Sequence, residues 1–308
     1  MQQSETSTPR KNCRTWVLYV ILVLLPFKGA IAQSLKVYIS ADMEGIAGVV
    51  SSDQVVATGN DYHLARQWMT QEVNAAIRGA LDAGATSITV NDSHGNMQNI
   101  IISDLDPAAR LISGVSKPLG MMEGIDETFD AAIFIGYHAK AGTRDAVLDH
   151  SYAGAVVYSV RVNGKEVPEL GLNALIAGHF NVPVVFVSGD RAACEEAKEI
   201  LGNNNVTVLA VKDGIGRYAA NSMSLQMAQT LTHQKVKEAL QRRNEKTPFR
   251  LIPPFNIELT YLRSSQADLA TLIPGVKRLD ARTVQITSDN IITGFKFFRA
   301  LIAVGRYN

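Results

Sequence analysis

The chain of 308 residues contains two cysteines, and its 30 Lys+Arg almost cancel its 29 Asp+Glu. The shortage of cysteine excludes a disulfide-stapled scaffold. The near-zero charge removes the basic excess that marks most nucleic-acid-binding domains, so nucleic acid is not an expected partner. Neither GxGxxG nor GxxxxGK followed by Ser or Thr occurs, so no phosphate-cradling loop supports nucleotide-dependent chemistry. Internal repeats and low-complexity tracts are absent, as is any apolar run of the roughly 20 residues needed to span a bilayer. With 46% hydrophobic and 19% charged residues, what remains is a globular chain long enough for one main domain and a smaller appendage.

Its first residues follow a different logic. Arg10, Lys11 and Arg14 precede an apolar run from Trp16 to Phe27, and Ala30-Ile31-Ala32 supplies the small-x-small pattern read by signal peptidase. The pattern predicts a signal peptide over residues 1–32, cleaved after Ala32, with secreted or periplasmic localisation and no stable membrane span after cleavage. Removing Glu5, Arg10, Lys11, Arg14 and Lys28 leaves 26 basic and 28 acidic groups, a formal charge of −2. Cys13 leaves with the leader. Cys194 sits in an amphipathic helical pattern and reads as a small core residue, not a nucleophile.

In the mature chain, β-branched apolar runs recur at Lys36–Ser40, Ser87–Val90, Ala131–Ile135, Val182–Val187 and Val206–Ala210. Helical periodicity separates most of them: Tyr62, Ala65, Met69, Val73, Ala76 and Ala80 step by three and four, and further helices are predicted at Leu172–His179, Arg191–Leu201 and Ser222–Gln241. The alternation predicts an α/β fold with a largely parallel sheet flanked by helices. Charged, then proline-rich, residues from Arg242 to Pro254 read as a linker. It divides a metal-binding catalytic domain (33–245) from a second, smaller C-terminal α/β unit (246–308), with strands at Asn256–Leu262 and Thr283–Thr287 and helices near Gln266–Leu272 and Asn290–Val304.

The chemistry gathers at strand ends, where open parallel sheets bind their ligands. The first strand runs into Asp42-Met43-Glu44, the second into Asn91-Asp92-Ser93-His94, the third into Gly136-Tyr137-His138. Any one of these has a plain structural explanation, a helix cap or a satisfied histidine. All three together point to a metal, and mixed carboxylate and imidazole donors suit zinc or another first-row ion better than magnesium or calcium. Without a cysteine cluster, the site reads as catalytic. His150, in a loop, and Glu169, just ahead of a helix, are further candidates. His63, His179 and His233 lie on predicted helices without companions and read as structural or exposed.

At these residues the sequence resembles the zinc-dependent D-aminopeptidases of the DppA type. The matching segments include ISADMEGIAGV (39–49), VNDSHGNM (90–97), LISGVSKPLGMMEGID (111–126), FIGYHAKAG (134–142), PELGLNALIAG (168–178) and VPVVFVSGDRAA (182–193). The resemblance implies two zinc ions per subunit held by Asp42, Glu44, His94, His138 and Glu169, with Asp42 bridging, and His150 as the catalytic histidine. It also implies short peptides with an N-terminal D-amino acid, D-Ala foremost, as substrates. Cleavage would proceed by attack of a dizinc-bound hydroxide, with His150 as acid or oxyanion stabiliser. A homodecamer with inward-facing sites is a further implication. The chain departs from the family pattern by one extra residue between His138 and His150, by Pro168 before the glutamate, and by its leader. Two alternatives remain at this level: a metal-dependent phosphohydrolase, because Asp-x-Glu after a first strand resembles the aspartate-nucleophile phosphatases, and a non-catalytic periplasmic peptide-binding protein.

Overall fold

The computed structural model describes residues 1–5, 7–8 and 34–307. The apolar run and cleavage motif of the predicted leader lie outside the described residues. The chain divides into two units, Met1–Gln33 and Ser34–Asn308, and the second carries the fold. Its elements run β1 (Leu35–Ala41), α1 (Ser52–Val55), α2 (Tyr62–Asp82), β2 (Ala85–Asp92), β3 (Ala109–Ile112), β4 (Ala131–Tyr137), β5 (Val157–Val162), β6 (Lys165–Glu166) and α3 (Glu169–His179). There follow β7 (Val184–Asp190), α4 (Arg191–Leu201), β8 (Thr207–Gly216), β9 (Ala219–Ser222), α5 (Leu225–Gln241), β10 (Phe255–Tyr261), α6 (Ser264–Ala270), β11 (Lys277–Arg278), β12 (Thr283–Ser288) and α7 (Ile291–Gly305).

The main sheet has the order β3-β2-β1-β4-β7-β8-β9, parallel except for the terminal β9. Successive connections run outward in both directions from β1, so the order reverses between β1 and β4, the place where such sheets open a ligand crevice. Both faces of the sheet are covered. In β4, Ala131, Ile133 and Ile135 pack with α2 and α5, whereas Ala132, Phe134 and Tyr137 face the opposite core. Burial on both sides explains why these strands read as unbroken apolar runs. The predicted α/β class with a largely parallel, helix-flanked sheet is the observed one.

The second sheet, β11-β12-β10-β5-β6, is antiparallel. Three of its strands come from the C-terminal stretch, and β5 and β6 come from the middle of the chain. Helix α7 lies on it through Phe295, Phe298 and Leu301 and also meets α3. Several predicted boundaries move by a few residues: the helix expected from Leu172 starts at Glu169, and the one expected from Ser222 starts at Leu225, because Ala219–Ser222 pairs with β8 and the Ser224 hydroxyl caps the helix by accepting from the Met227 N–H. Cys194 is buried in α4, as expected.

Between β1 and β4 the two backbones nearly touch. Asp42 N–H donates to the Ile135 carbonyl and Gly45 N–H to the Gly136 carbonyl, both at 2.8 Å. A Cβ on Gly45 would lie 2.1 Å from the Tyr137 carbonyl oxygen, and Gly136 adopts φ +70°. Side chains are therefore excluded on both sides of this seam. Gly45→Ala is expected to cost about 1–3 kcal/mol by overpacking, read as a lowered urea midpoint, with loss of activity exceeding the loss of folded protein.

Candidate metal centre

The seam sets the position of the strand ends. Adjacent parallel strands β2, β1 and β4 finish side by side, and residues 50 apart in sequence meet beyond them. His94 Nδ1 lies 3.2 Å from Asp42 Oδ1 and 2.9 Å from Glu44 Oε2. His138 Nε2 lies 3.6 Å from Asp42 Oδ2 and 3.5 Å from Glu169 Oε1. Glu169 enters from the first turn of α3, where a carboxylate is favoured by the helix dipole, and its other oxygen accepts the Tyr152 N–H at 2.7 Å. The ring of His150, from the loop after β4, stacks on His138 with centroids 3.9 Å apart. All six predicted residues thus converge. His63, His179 and His233 stay apart; His233 Nε2 lies 3.0 Å from Asp82 Oδ2 at the surface.

Each histidine has one ring nitrogen fixed by a backbone carbonyl: His94 Nε2 donates to Val55, His138 Nδ1 to Ala139, and His150 Nδ1 to Leu148. The carbonyls can only accept, which assigns a proton to those nitrogens. This is the arrangement by which metal-ligating imidazoles are oriented, the second nitrogen being left for the ion. For His94 and His138 that nitrogen faces carboxylates. Ligand atoms of Asp42, Glu44 and His138 all lie within 4.8 Å of one another, and so do those of His138, His150 and Glu169. Two groups sharing His138 therefore offer donors of the mixed nitrogen and oxygen type. Tetrahedral zinc holds such atoms about 3.3 Å from one another, close to the spacings around His138. Asp42 Oδ2 is buried without a hydrogen-bond partner, an orphan that a cation would satisfy. The residues fit a divalent metal.

Burial works against the charged rings of His94 and His138, but the adjacent carboxylates outweigh it and hold both pKa values well above the usual imidazole range. Burial and the charge of Glu44 push Asp42 up to about 7. Burial raises Glu44 and Glu169 as well, yet the histidines win and keep both low. His150 goes the other way, lowered by burial and by His138, so it is the neutral ring of the group.

Residues that no motif announced support the loop carrying Asp42 and Glu44. Lys212, on β8 and 2% exposed, donates to the carbonyls of Glu44, Ile46 and Val49 at 2.5, 2.9 and 2.5 Å. From α2, Glu72 accepts the Ala47 N–H at 2.7 Å, leaving its Oε2 unpartnered. Lys117 fixes the end of β2 by donating to Asn91 Oδ1 and the Asp92 carbonyl. Beneath the site a buried chain of hydroxyls and amides, Tyr152, Asn173, Tyr137, Ser40 and Ser93, ties α3 to β4, β1 and β2. The β-strand alternation and a lone Lys in an apolar run were the only signals for any of these.

A family model described as D-aminopeptidase matches residues 35–300. The chain belongs to the D-aminopeptidase family. A D-aminopeptidase of Bacillus subtilis (strain 168) is 39% identical over 268 residues, covering 85% of this chain and 94% of that protein. The solved structure of the Zn-dependent D-aminopeptidase DppA from Bacillus subtilis, described as a self-compartmentalizing protease, aligns with a TM-score of 0.86 at 36% identity, covering 89% of this chain and 99% of that one. Membership makes this chain a peptidase and sets aside the phosphohydrolase and non-catalytic binding readings.

Two substitutions test the loop's supports. Lys212→Met strips three buried carbonyls of their donor, at about 1–3 kcal/mol for each bond left unmade, and is expected to lower the urea midpoint and weaken binding of divalent metal in calorimetry. Glu72 tests charge. Burial lifts its carboxyl to about 7, against opposition from the Ala47 N–H and Lys212, from an ordinary value of 4.5. The folded state thus favours the neutral acid, and its stability declines as pH rises from 4.5 to 7. Glu72→Gln, which cannot ionise, should melt above wild type at pH 8 and level with it below pH 4.5; a Tm difference constant with pH contradicts the assignment.

Proposed function

We propose that this D-aminopeptidase-family chain is a zinc metallo-aminopeptidase that removes an N-terminal D-residue, D-Ala foremost, from short peptides. The observation that carries the reading is the convergence of Asp42, Glu44, His94, His138 and Glu169 beside a neutral His150. The five residues would hold two zinc ions. When bound, zinc supplies Lewis acidity to the scissile carbonyl and acidifies water enough for attack near neutral pH.

The remaining work falls to the protein. His150 keeps its Nδ1 proton on the Leu148 carbonyl, so Nε2 is the atom free to take a proton from the attacking water and pass it to the leaving amine. Stacking on His138 holds the ring in place. A free α-amino group on the substrate, held at this cluster, would restrict cleavage to the first bond. The half-buried Tyr152, fixed through Asn173, closes one side of the cavity and limits water.

Residues 1–32 would direct the chain out of the cytoplasm, where peptidoglycan-derived D-peptides are the available substrates. The Bacillus relative's description as self-compartmentalizing supports an assembly here too, a homodecamer whose inward-facing sites admit only short peptides. No helix among the described residues is long and apolar enough to cross a membrane.

Hydrolysis of D-Ala-D-Ala and L-Ala-L-Ala, with and without chelator, tests the reading: D-specific turnover abolished by chelation is expected, and equal rates or indifference to chelator would sink it. His150→Ala should lower kcat by about 10²–10⁴ with bound zinc near the wild-type amount. Zinc lost together with activity would instead make His150 a ligand, as its grouping with His138 and Glu169 permits.

A further inference from the structure

The cavity over the metal-type cluster measures about 290 Å³, at the small end of ligand pockets, which span about 300–1,000 Å³. Part of its wall comes from the far end of the chain: Arg299, Ile302 and Ala303 of α7 and Arg306, its C-cap, line it together with Asp42, Glu44 and Glu169. Their three-one-three spacing is a single helical stripe, while Phe295, Phe298 and Leu301 bury the other side of α7. Neither arginine forms an ion pair with a carboxylate among the described residues. Arg299 donates one Nη1 bond to the Lys117 carbonyl, and its guanidinium lies against Gly120, where a Cβ would come within 3.3 Å of it. That bond positions the guanidinium and uses one of its five donors. Arg306, seven residues on, is exposed, and its side chain makes no hydrogen bond to another described residue.

Beside the metal-type cluster, the cavity therefore carries a wall of two guanidiniums from the end of α7 and its C-cap. The free C-terminal carboxylate of a short peptide is complementary to that wall. We propose that Arg299 and Arg306 bind the C-terminal carboxylate of the substrate, making this chain selective for very short peptides with a free C-terminus, dipeptides above all. The planar guanidinium fork matches a carboxylate in two parallel bonds, and such charge-assisted pairs are the strong ones. The proposal rests on the D-aminopeptidase reading of the site and adds a determinant of length and terminal charge that operates within one subunit.

The test uses the zinc-loaded full mature chain and a non-cleavable analogue of D-Ala-D-Ala in which CH2–NH replaces the amide, as its free acid and as its carboxamide. Calorimetry should show wild type binding the acid at least about tenfold more tightly than the carboxamide. Arg306→Gln, at an exposed position, and Arg299→Lys, which keeps the charge but loses the fork, should each weaken the acid more than the carboxamide, so that the ratio falls towards one. The kcat/KM ratio for D-Ala-D-Ala over its amide should fall in parallel. Equal binding of acid and carboxamide by wild type, or equal weakening of both in the variants, overturns the proposal. Absence of D-Ala-D-Ala turnover in wild type overturns the peptidase reading instead, while analogue binding still reports on the arginines.

Discussion

Three carboxylates, Asp42, Glu44 and Glu169, sit within one pocket at 2 to 5% exposure, and their mutual repulsion is the constraint around which the rest is arranged. Buried like charges are tolerated only when something positive or a proton is supplied beside them. Here the histidines supply it: the carboxylates hold His94 and His138 well above the usual imidazole range, and burial and Glu44 push Asp42 up to about 7. The same imbalance makes the site a strong competitor for a divalent ion, since each proton released exposes a donor already in position. Rigidity matters as much as charge. Lys212 from β8 and Glu72 from α2 grip the Glu44–Val49 loop, and the glycine seam sets the loop against β4 with no side chain to yield. A loop so held cannot relax away from its own repulsion.

Much of this was legible in the sequence, for a physical reason. Parallel strands buried on both faces read as continuous apolar runs, so β1, β2, β4, β7 and β8 stand out, and the first polar residues after each are by construction at the carboxyl edge. Asp42, His94 and His138 are found that way with no knowledge of strand order. Glu169 and His150 were harder, since neither follows a strand end, and only the family resemblance singled out their roles. The β5–β6 hairpin went unread because its alternation, Val157, Val160 and Val162, is short and interrupted by a bulged register with β10.

Other contributors were invisible in principle. Lys212 looks like a surface lysine punctuating β8; its function depends on three carbonyls some 165 residues away, which no local pattern encodes. Tyr137 and Asn173 likewise read as ordinary strand and helix positions, and become a network only when α3 lands beneath the strand ends. Arg299 and Arg306 sit in a helix whose apolar face dominates its pattern. Their stripe gains meaning only because the second sheet, completed by β5 and β6, delivers α7 to the rim of a cavity built by the first sheet. The site is thus a joint product of the chain's beginning and its end.

Cys194 bears on the proposed export. In an oxidising compartment an exposed thiol invites intermolecular pairing, so export favours a cysteine kept unreactive. Cys194 is placed in α4 against β7 and β8, where burial, helped by the charge of Asp190, pushes its pKa up to about 12. The thiolate that would attack a disulfide is therefore almost unpopulated at neutral pH. With no disulfide among the described residues, stability rests on two apolar cores back to back across the main sheet and on whatever a bound metal would add by favouring the folded state. Metal and fold are then linked in both directions: the glycine seam and the Lys212 clamp preform the site, and occupancy of the site offsets the repulsion that the same preformation imposes.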